Sequence, residues 1–107
     1  MISTHILDTS RGNPAKGIKL TLQKKEKDGW QDVATGTTNS DGRFSFEGET
    51  NAGVYQILFE VEGYFKGISR SDFYTQIPVV FTVEDTKKKY HIPLLLNPFG
   101  YSTYRGT

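Results

Sequence analysis

Two side chains in this sequence can exchange a proton near neutral pH, His5 and His91, and they stand near opposite ends of its 107 residues. A neutral imidazole can serve as a general base near neutral pH, so acid–base work is open to these two residues. Each also fits a half-buried histidine satisfied by a backbone group. With no third ligand at a recognisable spacing, the pair falls short of a zinc site, and no metal is expected. The chain has no cysteine. That excludes a disulfide framework, a thiolate nucleophile and a zinc ribbon, and leaves the work to histidine, arginine, hydroxyls and carboxylates. Arg43 directly follows the tight-turn pair Asp41-Gly42 and so leaves the first position of a strand. On its own this position fits a solvated or carboxylate-paired arginine at a hairpin end better than a functional one. The tail Tyr104-Arg105-Gly106-Thr107 gathers a phenol, a guanidinium and a hydroxyl within four residues. Chain ends usually fray. Phe99 and Tyr101 just before the tail give it instead the look of a strand that docks.

The elements that position these residues follow a period of two. Ile18, Leu20 and Leu22 alternate with Lys19, Thr21 and Gln23 as a half-buried strand requires. Asp28-Gly29 turns that strand back through Trp30 to Thr37, and Asn39-Ser40-Asp41-Gly42 makes a second turn before Phe44 and Phe46. Val54 to Val61 is apolar at nearly every position, the pattern of a central strand covered on both faces. The alternation breaks between Val61 and Ile77, where Glu62 to Ile68 fits one or two short helical turns at most. Strands resume over Ile77 to Val83 and Tyr90 to Leu96, with Pro93 marking an edge or a bulge in the latter. The expectation is an all-β chain, an antiparallel β-sandwich of seven or eight strands with at most one short helix, forming one domain over residues 1–107.

Thirteen Lys and Arg against twelve Asp and Glu leave a net charge of +1. This is not the electrostatic footprint of a nucleic-acid binder. No apolar run approaches the roughly 20 residues of a membrane span, so no membrane partner is expected. Met1 to His5 lacks the basic start and apolar stretch of a signal peptide. A cytoplasmic location is expected, or a periplasmic one if a leader has been removed.

In order along the chain, His5-Ile6-Leu7-Asp8, Gly12-Asn13-Pro14-Ala15, Asp41-Gly42-Arg43, Tyr90-His91-Ile92-Pro93-Leu94-Leu95-Leu96 and Tyr101-Ser102-Thr103-Tyr104-Arg105-Gly106-Thr107 resemble the 5-hydroxyisourate hydrolases, the transthyretin-related enzymes of urate breakdown. The closing Tyr-Arg-Gly-Ser/Thr tetrapeptide and the paired histidines separate that family from the transthyretin hormone carriers. The resemblance implies a transthyretin-like (prealbumin-like) sandwich, a homotetramer with sites where two dimers meet, and no cofactor. It implies hydrolysis of 5-hydroxyisourate, a small-molecule substrate, to 2-oxo-4-hydroxy-4-carboxy-5-ureidoimidazoline. It places His5, Arg43, His91 and Thr107 in the catalytic set and Tyr104, Arg105 and Gly106 against the substrate. His91 is then the first choice for the base and Arg43 for the oxyanion donor. His5 would orient the water or protonate the leaving nitrogen, and Arg105 could instead build the cleft wall through a salt bridge. Three residues depart from the family pattern: Thr107 and Asn97 stand where serine is commoner, and Thr75 where proline is usual. Threonine keeps the hydroxyl. A carrier of small aromatic ligands on the same fold is the alternative.

Overall fold

The alternations become strands in the computed structural model, which describes residues 1–66 and 73–107. In chain order they are β1 (Ile2–Asp8), β2 (Asn13–Pro14), β3 (Lys19–Glu26), β4 (Gly29–Thr37), β5 (Arg43–Phe46), β6 (Gly53–Glu60), β7 (Gln76–Val83), β8 (Tyr90–Asn97) and β9 (Gly100–Thr103). One sheet has the order β2-β1-β8-β9 with β5 also paired to β1, and the other has the order β4-β3-β6-β7. Nine strands are thus found among the described residues, more than the expected seven or eight. β2 is only two residues long, too short for any periodicity to reveal. Glu62 to Phe65 form turns and Lys66 has 3-10 conformation, while Gly67 and Ile68, the remainder of the expected helical stretch, lie outside the described residues.

The antiparallel expectation holds with one exception. β1 and β8 run parallel, from Ile2 beside Tyr90 to Asp8 beside Leu96. A parallel pair needs a long crossover, and here the entire second sheet supplies it. β8 is therefore an interior strand, which corrects the edge expected from Pro93. The prolyl ring is tolerated for a local reason. Leu94 pairs with Thr103 on β9, and His91 pairs with Gly106 in the same register. The tail therefore continues β9, with its ladder interrupted where proline has no N–H to give. The Thr103 hydroxyl donates to the Pro93 carbonyl at 2.7 Å and closes the gap.

Burial follows the alternation. Ile2, Ile6, Leu94 and Leu96 face Leu20, Ile57, Phe59 and Ile77 across the sandwich, each fully buried. Each such side chain contributes about 1.5–3 kcal/mol on leaving water. β6 lies inside its sheet, and on its outer face, between the half-buried Val54 and Leu58, Gln56 is buried in an amide chain. Gln56 Nε2 donates to Gln23 Oε1, and Gln23 Nε2 donates to Asp32 Oδ1, both at 2.7 Å. Asp8 ends β1 with no exposed surface, and its carboxylate accepts from the Ser10 backbone N–H and hydroxyl and from the Tyr64 hydroxyl. Burial and this hydrogen bond to Asp8 push the Tyr64 phenol up to about 12.

Candidate functional site

On β1 the residues between the buried ones, Ser3, His5 and Leu7, point out of the sandwich. Two neighbouring strands add their own side chains to this outer face. β5 sets Arg43 directly opposite His5, and β8 sets His91 beside Ser3. Two strands from the chain's beginning and one from near its end thus bring together the residues that spacing alone could only nominate.

The turn before β5 fixes where Arg43 starts. Asn39 Oδ1 accepts from the N–H groups of Asp41 and Arg43, at 2.9 and 3.0 Å. Gly42 has φ +72°, and its carbonyl accepts from the Ile6 N–H at 2.8 Å. A Cβ there would lie 2.5 Å from the Ile6 carbonyl oxygen. Glycine is required both by conformation and by this close approach.

Both imidazoles are held below the ordinary histidine value. For His5 the causes are burial, then the Arg43 cation, partly offset by Asp41. For His91 they are burial, then Arg43, then His5. The site therefore carries two neutral imidazoles and one permanent cation near neutral pH, groups that could exchange protons and hold a negative charge.

The tail is docked, and its register divides its residues between two faces. Gly106 donates its N–H to the His91 carbonyl at 2.8 Å and stands opposite His91 on the outer face. A Cβ on Gly106 would meet His91 Cδ2 at 2.6 Å and Pro93 Cγ at 3.1 Å, so only glycine fits against the ring. Arg105, one residue earlier, falls on the opposite face, where its guanidinium lies 4.7 Å from the Tyr90 ring centroid. Among the described residues it has no carboxylate partner, so the salt bridge considered for it is replaced by a cation–π contact. Tyr104 and Thr107 are exposed. The structure thus joins His5, Arg43, His91 and Gly106. It sets Arg105 on Tyr90 and leaves Tyr104 and Thr107 open to solvent.

A groove of about 250 Å³ runs beside the tail, between β7 and β8, with Val79, Phe81, Tyr90, Ile92, Tyr104 and Arg105 among its walls. His91 also borders it, whereas His5 and Arg43 do not. Two contacts at the site escaped the sequence reading. Ser3 Oγ lies 2.8 Å from His91 Nδ1. Tyr90 carries Arg105 on its ring while its hydroxyl accepts from the Glu84 and Asp85 N–H groups. Ser3 had a faint signal, since it stands two residues before His5 and so shares its face. Tyr90 had none.

The sequence pattern of the HIUase/Transthyretin family matches residues 2–106. A 5-hydroxyisourate hydrolase of Salmonella dublin is 40% identical over 110 residues, covering 100% of this chain and 81% of that protein. The solved structure of Klebsiella pneumoniae 5-hydroxyisourate hydrolase superposes with a TM-score of 0.86 at 33% identity, over 99% of this chain and 98% of that one. Sea bream transthyretin in complex with thyroxine superposes with a TM-score of 0.90 at 32% identity, over 99% and 94% of the two chains. A match spanning nearly the whole chain, on a sandwich that gathers the paired histidines, the turn arginine and the docked tail, means that this chain belongs to the HIUase/Transthyretin family.

Proposed function

We propose that this chain is an enzyme that hydrolyses 5-hydroxyisourate, opening its cyclic amide to give 2-oxo-4-hydroxy-4-carboxy-5-ureidoimidazoline. The observation that carries this reading is the convergence of His5, Arg43 and His91 on one outer sheet face, with Gly106 packed against the His91 ring. His91 accepts the proton that water loses on attacking the carbonyl. Arg43 holds the oxyanion of the tetrahedral intermediate, a charge that forms only during the reaction. As that intermediate collapses, the carbon–nitrogen bond breaks and the leaving nitrogen takes a proton from the imidazole pair. Thr107 reaches the same water from the tail. Tyr104 borders the substrate, and Gly106 shapes the surface against which it rests.

The working unit is a homotetramer in which a second copy covers the histidine face. Three features support this. The catalytic face is open on one side. Exposed rings of Phe73, Phe99 and Tyr101 cluster through Tyr74, with centroids 5.0 to 6.3 Å apart. β7 and β9 are terminal strands of their sheets, and such edges invite pairing with another chain.

The test is the ultraviolet band of freshly generated 5-hydroxyisourate, whose decay should accelerate well beyond the spontaneous rate when the protein is added. His91→Asn should stay folded and lose about 10² to 10⁴ in kcat, the range for a missing general base. Near wild-type decay in that variant would remove His91 from the chemistry. The likeness to thyroxine-bound transthyretin favours the carrier as second reading. A carrier would bind an aromatic ligand, leave the band's decay unchanged and be indifferent to both histidines.

A further inference from the structure

The hydroxyl of Ser3 touches the site without a part in the hydrolysis proposed above. Its strand register places it beside His91 on the same face, and its Oγ lies 2.8 Å from Nδ1. The opposite edge of that ring is also occupied. A Cβ added to Gly106 would meet Cδ2 at 2.6 Å and Cγ at 3.3 Å. With Nδ1 taken by Ser3 and the Cγ–Cδ2 edge covered by Gly106, the ring presents Nε2 and Cε1. What it can do at Nε2 depends on which way the serine hydrogen bond runs. A donating hydroxyl leaves the proton on Nε2, and the ring is then a hydrogen-bond donor. An accepting hydroxyl places it on Nδ1, and Nε2 carries a lone pair.

We propose that Ser3 is a positioning residue that accepts the Nδ1–H of His91 and so makes Nε2 the ring's site of proton transfer. This rests on His91 being the base. When Nε2 takes the proton of water, the imidazolium has an N–H at each nitrogen, and an acceptor already at Nδ1 strengthens its hold as the charge develops. A donating hydroxyl would have to turn over in the same step. A carboxylate at this position would draw the ring towards its charged form. A neutral hydroxyl orients the ring and leaves it neutral until the proton arrives. The titratable and charged groups facing His91 agree with that requirement. Arg43 from β5 and His5 from β1 both act against a resident charge, and Arg105 on the tail is committed to Tyr90.

The test combines long-range ¹⁵N NMR of the imidazoles with turnover against pH in wild type, Ser3→Ala and Ser3→Thr. In wild type His91 should show a protonated Nδ1 and an unprotonated Nε2 above its titration. Ser3→Ala should mix the tautomers and lower kcat about tenfold, as expected for one hydrogen bond to a charged group. Its acid limb should move to lower pH by up to roughly one unit, because the imidazolium loses its acceptor. Ser3→Thr, which keeps the hydroxyl, should restore both. A wild-type ring protonated at Nε2, or an Ser3→Ala profile unmoved in height and position, would overturn the proposal. The NMR arm separates this idea from the one beneath it. Undiminished turnover in His91→Asn would sink the base assignment while a protonated Nδ1 in wild type still upheld the orientation by Ser3.

Discussion

Arg43 reaches both imidazoles, and its charge and their burial act in the same direction. The folded protein therefore binds protons at these two sites more weakly than the unfolded chain, whose histidines titrate near 6.5. The sign of the linkage follows. Their contribution to stability is complete above about pH 6.5 and is lost as pH falls through the lowered folded values. Turnover should follow the same groups, with an acid limb below the ordinary histidine range. Arg43→Gln removes the cation, so both imidazoles should take up protons at higher pH and the acid limb should move upward. kcat should fall about 10² to 10³ with the loss of the oxyanion donor. Band decay measured across pH for both proteins checks this, and a limb that stayed in place would show that Arg43 does not tune the imidazoles.

The histidines and Arg43 were legible as chemistry because few other residues of this chain could perform it. Their mutual placement was not, because β1 and β8 join residues 88 positions apart through a parallel pairing that leaves no local trace. The same pairing hid Ser3 and made Pro93 look like an edge marker. The tail shows a similar division. Its docking could be read from Phe99 and Tyr101, but the face taken by Arg105 needed the register of Leu94 with Thr103. That register predicts separable effects within the tetrapeptide. Deleting Tyr104 to Thr107 should abolish most turnover and leave the circular dichroism of the sandwich intact, since the core lies elsewhere. Gly106→Val should do nearly as much by displacing the His91 ring. Full turnover in the truncated, still folded protein would remove the tail from the site.

For the whole molecule, the exposed aromatic group is the feature that a single sandwich does not explain. Phe99 is 70% exposed and Phe73 is 66% exposed, and they meet at 6.3 Å across two separate loops. An aromatic anchor buried between subunits contributes about 2 kcal/mol or more, so Phe99→Asp should weaken assembly by roughly thirtyfold or more. Sedimentation at micromolar concentration should then show smaller species, and turnover should fall with the fraction assembled. Wild-type sedimentation together with wild-type turnover would count against a second copy seated on these rings.

The parallel union of β1 with β8 also sets a timetable for the chain's birth. At about 5–20 residues per second on the ribosome, β1 waits on the order of ten seconds for its long partner to be made. It is not left bare meanwhile. β5 follows within the first half of the sequence and pairs Phe46 to Arg43 against Ile2 to His5. The nascent chain can thus shelter one side of its first strand early, and set Arg43 beside His5, long before the second imidazole exists. The face that holds His5, Arg43 and His91 together is assembled only once β8 has been made.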